Sequence, residues 1–387
     1  MTRALTAKLA ALSVALWALL LCVTPTARPR SEALPQRLDD RTFWMLASEF
    51  SEASGTFRSD NLVSNETVFQ YVIPTLQQTL GPVSAYVGVG PDQNFTYIAS
   101  LKPRIAFIVD IRRQNMMLHL MYKALIEMSP TREEFLARLF SRPPPNLETS
   151  VTANVLLDAF THLDPDPVSF ERNRAEIFSW LQRRHGFSLS RGDLAGIDYV
   201  YRAFYQAGPE LRYSFGRGAG WQPFPTYRDL MVADDGQGVQ RSYLANEELY
   251  GALRDLQERN LIVPIVGDFA GPKALRSVAR YLDVHHSTVS VFYTSNVEQY
   301  LFRPVDGRDG WQRFYDNVAA MPITPQSTFI RAFFNNQGRI VRIPDPQNGV
   351  ASLTPRSQTL LNPIALLLGA YSEGHISNYP DVIELSR

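Results

Sequence analysis

Ala85-Tyr86-Val87-Gly88-Val89-Gly90-Pro91-Asp92-Gln93-Asn94, followed by Ile105-Ala106-Phe107-Ile108-Val109-Asp110, is the stretch on which the fold turns. An apolar run ends in two glycines, a short helical stretch follows, and a second apolar run ends in an acid. That is the outline of a nucleotide-binding β-α-β unit. The glycines let the backbone turn tightly and approach a ligand, and the acid can accept hydrogen bonds from ribose hydroxyls. The third glycine of the dinucleotide fingerprint is missing.

The same alternation extends outward. Val83 to Val89 and Ile105 to Ile111 read as strands, with helices over Asp92 to Leu101 and Asn115 to Glu127. The Met116, Met117 and Met121 cluster is read as core packing, because methionine fills irregular apolar gaps. Thr42 to Phe50 is expected to be the first helix. The polar segment Ser51 to Glu66 is expected to be a connector or a lid over the glycine turn, with Asn65 capping a helix through Val68, Phe69, Val72 and Ile73. From about 130 to 258 the chain reads as a mostly helical insertion, with amphipathic helices over Ala153 to Phe160 and Phe170 to Arg184. Tyr213 to Asp229 reads as an irregular loop. Strand signals resume at Leu261 to Val266 and Thr288 to Tyr293, with helices over Ala274 to Leu282, Gln299 to Phe302 and Gly310 to Ala320. Ser327 to Phe334 and Arg339 to Ile343 are expected to form a closing antiparallel pair. Strand alternating with helix predicts an α/β fold, a Rossmann-like and mainly parallel sheet with helices on both faces. The large helical insertion falls between its second and third strands.

The 387 residues are enough for a substantial core. Lys and Arg number 38, as do Asp and Glu, so no global field attracts nucleic acid, and none is expected as a partner. The basic groups Arg112-Arg113 and Arg183-Arg184-His185 are read as solvated helix faces. The one cysteine, Cys22, lies in the N-terminal apolar run, so the remaining chain has no disulfide or thiolate metal site. The six histidines show no metal-ligand spacing, and no metal is expected.

Arg3 and Lys8 precede the apolar run Leu9 to Val23, which Pro25, Arg28, Pro29 and Arg30 end. Residues 1–30 are expected to be a signal peptide or membrane anchor, with 9–23 as a tether and 31–41 as a linker. Residues 42–387 would then form an exported or membrane-anchored domain. The run is shorter than the about 20 residues that span a bilayer comfortably.

Four candidate strands end, at their carboxyl sides, in residues suited to polar recognition: Gly88 to Gly90, Asp110, Gly267-Asp268, and Asn296. In an open parallel sheet these ends form the crevice where ligands bind. Asp110 would bind vicinal hydroxyls and Asp268 an exocyclic amine. Asn296, both donor and acceptor, would orient a substrate group. The plainer reading of Asp92 and Asp268 is helix capping.

On these residues the chain resembles the class I S-adenosylmethionine-dependent methyltransferases. The resemblance places Gly88 and Gly90 in the cofactor loop, Asp110 at the ribose and Asp268 near the adenine. Asn296 would open the substrate-facing loop. Asp92, Asn94 and Phe269 complete the cofactor-binding candidates. More closely, Ser51–Glu66, Ala85–Asn94, Gly267–Gly271 and Phe292–Leu301 look like a poorly characterised bacterial family with a methyltransferase-like fold, over roughly 42–345. The chain departs from the methyltransferases in three respects. Tyr86 stands where an acid is usual, Asp92 fills the third glycine position, and the interval from Asp110 to Asp268 is long.

What the resemblance implies is a transferase or nucleoside binder taking S-adenosylmethionine, with a small-molecule nucleoside as its partner. Tyr293, Asn296 and Glu298 would then orient the acceptor, and Glu52, Asp60, Asn61 and Glu66 are lid or substrate candidates. A non-catalytic exported or membrane-tethered protein on the same fold is the alternative. An NAD-dependent oxidoreductase is the third reading.

Overall fold

In a computed structural model, described over residues 33–214, 224–303, 310–334 and 357–386, residues 33–387 form one compact unit. Its centre is a six-stranded sheet: β1 (Ala85–Gly88), β2 (Ile105–Asp110), β3 (Ile262–Val266), β4 (Val289–Ser295), β5 (Ile323–Phe334) and β6 (Ser357–Pro363), in the order β3-β2-β1-β4-β5-β6. Neighbours from β3 to β5 are parallel, and β6 is antiparallel to β5. Every residue of β1, β2 and β3 is buried. Helices cover both faces of a parallel sheet, so its strands read as continuous apolar runs rather than alternating ones. Pro264 sits in β3 without disrupting the sheet because β3 is an edge strand, where a missing N–H leaves no ladder bond broken. Past the end of that strand, Glu52 donates its backbone N–H to the Val266 carbonyl (2.8 Å) and Ser51 Oγ accepts from Val266 N–H (2.9 Å).

The crossover between β1 and β2 is the helix Gln93–Leu101, buried along nearly its whole length. That between β2 and β3 carries Arg113–Glu127 and then the helical insertion, which includes Arg132–Phe140, Ala153–Thr161, Pro167–Ser179, Arg191–Ala207 and Glu247–Glu258. Met116, Met117 and Met121 are core residues of the first of these. The Rossmann-like architecture and the position of the insertion match the sequence reading.

Several local expectations change. Phe69–Val72 is a 3-10 turn leading into the helix Ile73–Thr79, and Asn65 caps neither. The stretch read as one helix to Arg184 ends as a π-helix over Trp180–Arg184. Within Tyr213 to Asp229, a short helix begins at Tyr227. The antiparallel partner of β5 is Ser357–Pro363, and residues 339–343 lie outside the described residues.

The expected signal peptide, membrane tether and exported or membrane-anchored location are corrected. Among the described residues no helix is long and apolar enough to cross a membrane. The longest, Arg191–Ala207, has 17 residues and a polar face, short of the about 20 apolar residues a bilayer requires. The run 9–23 on which that expectation rested lies outside the described residues.

Of the pair Arg112-Arg113, only Arg113 is exposed, as read from sequence. Arg112 is buried against Asp110, and Arg113 pairs with Asp193 of the insertion (Nη2 to Oδ2 2.9 Å). His185 lies between Asp40 and Glu127, 2.6 Å from an oxygen of each.

Candidate functional site

The strand order reverses between β1 and β4, and a crevice opens there beyond the carboxyl ends of the strands. A cavity of about 690 Å³ occupies it, within the range of small-molecule sites. Of the residues singled out from sequence, Gly90, Asp110, Asp268, Phe269, Tyr293, Asn296, Asn61 and Glu66 line this cavity. Gly88, Asp92, Asn94, Glu298, Glu52 and Asp60 do not.

The turn after β1 is held from within. Asn94 Nδ2 donates to the carbonyls of Val89 (2.9 Å) and Pro91 (2.7 Å), and Tyr86 Oη donates to Asn94 Oδ1 (2.9 Å). A Cβ on Gly88 would stand 2.0 Å from Asn94 Oδ1 and 2.7 Å from the Tyr86 ring, so this glycine makes room for that bond. Gly90 has φ +80°, a left-handed conformation that favours glycine, and its nearest neighbour would be Asn61 Nδ2 at 3.5 Å. His119 Nε2 lies 2.8 Å from the Gly90 carbonyl and must donate to it, because a carbonyl only accepts. Burial pushes the His119 imidazole down to about 4, which keeps it neutral. Asp92 lies beneath the turn, where Tyr243 of the insertion donates to its Oδ2 (2.9 Å) and burial raises its carboxyl to about 7.

Asp110, at the end of β2, is tied to Arg112. Oδ1 accepts from the Arg112 backbone N–H (2.9 Å) and Nε (3.0 Å), and Oδ2 accepts from Nη2 (2.8 Å). Arg112 Nη1 donates to the carbonyls of Ser59 (3.2 Å) and Asp60. One guanidinium therefore fixes the carboxylate and ties the 51–66 segment to the strand end. Of the carboxylate's accepting positions, Oδ2 keeps the spare one.

At the end of β3, Asp268 Oδ1 accepts from Ala270 N–H (2.9 Å). Glu52 caps the helix Ala274–Val284: Oε1 accepts from the N–H groups of Lys273 (2.8 Å) and Ala274 (2.7 Å), where a carboxylate suits a helix N-terminus. Phe269 stacks on Phe314 with centroids 5.3 Å apart. Asp60 accepts from Tyr199 Oη (2.6 Å) and joins the 51–66 segment to the insertion.

Beyond β4, Glu298 is a buried structural acid. Arg331 Nη2 donates to its Oε1 (3.1 Å), as does Tyr315 Oη (2.8 Å), and both members of the ion pair are 1% exposed or less. Asn296, in contrast, makes no cap hydrogen bond and lines the cavity.

Glu66 sits across the switch between β1 and β4. Tyr293 Oη donates to its Oε1 (2.7 Å), Ser295 Oγ donates to the same oxygen, and Gln93 Nε2 donates to Oε2 (2.9 Å). The side chain is buried, and desolvation raises its carboxyl above the usual range against the pull of these three neutral donors.

Sequence reasoning missed Gln93, Arg112 and Ser295. Arg112 had a local signal, an arginine two residues after an acid at a strand end. Gln93 and Ser295 had none, because only the fold brings them to Glu66.

No curated protein matches the chain. The arrangement is a Rossmann-like, nucleotide- or cofactor-binding type of architecture, and no specific methyltransferase family is supported by comparison. The model of a family described as a domain of unknown function (DUF7790) matches residues 61–354, more than half of the sequence and spanning β1 to β5, and the chain belongs to that family.

Proposed function

We propose that this chain binds a nucleoside cofactor of the S-adenosylmethionine type in the crevice and acts as a methyltransferase-type enzyme. The observation that carries the reading is the cavity itself. It lies over the switch between β1 and β4, walled by Gly90, Asp110, Asp268 and Asn296 from four successive strand ends.

The residues present fit such a ligand. Gly90 offers an open, left-handed turn for close approach. Asp110 keeps an accepting position on Oδ2 for a hydroxyl, and Arg112 holds it in place. Asp268 and Phe269 supply a polar edge and an aromatic wall for a base. The cofactor, when bound, supplies an activated methyl group. The chain contributes proximity and alignment, which such a transfer needs more than a protein nucleophile. Tyr293 and Asn296 face the remaining volume and would orient the acceptor.

A second reading, a binder of the same ligand without turnover, is favoured by one observation. Arg112 occupies both Asp110 oxygens, which leaves less capacity for a ribose than a free acid would have.

Calorimetric titration of the full chain with S-adenosylmethionine, S-adenosylhomocysteine and NAD tests the proposal. The expected result is micromolar binding of the first two, weakened at least about tenfold in Asp110→Asn, an effect of about 1.4 kcal/mol. Binding of NAD alone, or of none of the three, refutes it.

A further inference from the structure

Buried carboxylates in this protein are, as a rule, given a cation. Asp110 has Arg112, Glu298 has Arg331, Glu127 has Lys123, and Asp235 has Arg241. Asp92 is an exception, and Tyr243 seals it away from the cavity. Glu66 is the other. It is 1% exposed, and its three side-chain donors, Tyr293, Ser295 and Gln93, are all neutral. Among the described residues no cation pairs with it. Unlike Asp92, it lines the cavity.

We infer that the β4 end of the cavity takes an aliphatic ammonium group of its ligand, with the Glu66 carboxylate as counter-ion. A buried charge is costly unless it is paired. A carboxylate has about four accepting positions, and three are used here. An ammonium fills the vacant position and supplies the missing charge. A neutral hydroxyl fills the position only, and an anion is repelled. Burial already holds the Glu66 carboxyl above its usual range, the condition a nearby cation reverses. Of the three arginines in the wall, Arg112 is committed to Asp110, Arg303 lies over the Tyr300 ring and Arg313 is exposed, and among the described residues none of them pairs with Glu66.

The ammonium has two sources: the amino-acid tail of the cofactor proposed above, or a separate amine substrate. Only the first rests on that proposal. Two probe pairs separate them on the full chain, wild type and Glu66→Gln. S-adenosylhomocysteine and 5′-methylthioadenosine differ by the amino-acid tail. Tyramine and 4-ethylphenol differ by the ammonium, and they are titrated with and without S-adenosylhomocysteine.

In the wild type, the ammonium-bearing member of at least one pair should bind about tenfold more tightly than its neutral counterpart, and Glu66→Gln should abolish that preference. Loss confined to S-adenosylhomocysteine assigns the tail, and loss confined to tyramine assigns a separate substrate. No ammonium preference in the wild type overturns the inference, as does a preference that survives in Glu66→Gln. Where the variant does not fold, the wild-type comparison still overturns the inference if neither pair shows an ammonium preference. If neither nucleoside binds, the cofactor reading fails by itself, and the tyramine pair still tests Glu66.

Discussion

Replacing Asp92 by asparagine should make the protein more stable at pH 8 than at pH 4, relative to wild type. The Asp92 carboxyl lies beneath the glycine turn, with Tyr243 Oη 2.9 Å from Oδ2 and no cation beside it, and burial raises it from 3.8 to about 7. In the unfolded chain this group ionises near 3.8; in the folded protein it stays protonated until pH approaches 7. Folding therefore takes up a proton between those values. The stability this contributes is fully present below pH 4 and lost as pH rises through 7. Each pH unit of difference corresponds to about 1.36 kcal/mol, so the whole span amounts to roughly 4 kcal/mol. Asparagine keeps an oxygen to accept from Tyr243 and a donor in place of the acid proton, and it does not titrate. Urea unfolding of both proteins at intervals from pH 4 to 8 isolates the effect, because every other titrating group is shared and cancels in the difference. The variant should gain up to about 4 kcal/mol on wild type across that range. A difference that stays constant with pH refutes the reasoning, since it would place Asp92 in the same ionisation state folded and unfolded.

Gly88→Ala should cost about 2 kcal/mol or more, because its Cβ must displace Asn94 or Tyr86 and open the bond that holds the turn. Gly90→Ala, strained in φ but without a clash, should cost about 1–2 kcal/mol, and chemical denaturation of the two variants should rank them in that order. Arg331→Met should cost about 3–5 kcal/mol by leaving Glu298 buried without its cation. The double variant with Glu298→Gln should recover most of that loss, and a double-mutant cycle that shows simple additivity would contradict the pairing.

Much of the fold was legible from short-range pattern. The apolar runs of β1, β2, β3 and β4 each end in glycine or a polar residue, and strand period and turn chemistry act over a few residues, so 85–110 alone announced a parallel β-α-β unit. The length from Asp110 to the next strand signal announced the insertion. The residues at four strand ends were legible as candidates for the same reason: the topology of a parallel sheet gathers carboxyl ends on one side.

What each candidate does was not legible. Asp92 and Asp110 are both acids next to strand ends and look alike in sequence. Tyr243, 151 residues distant, buries the first, while Arg112 clamps the second and leaves it at the cavity wall. Glu298 and Glu66 both meet β4, yet Arg331 neutralises one and the other is left with neutral donors. The sequence by itself determined the strand and helix alternation, the placement of the insertion and the gathering of the strand ends, because these follow from local periodicity and backbone freedom. Only the tertiary structure decided which carboxylates are paired, which are buried neutral and which face the crevice. Desolvation and counter-ions act through space between segments that the chain order leaves far apart.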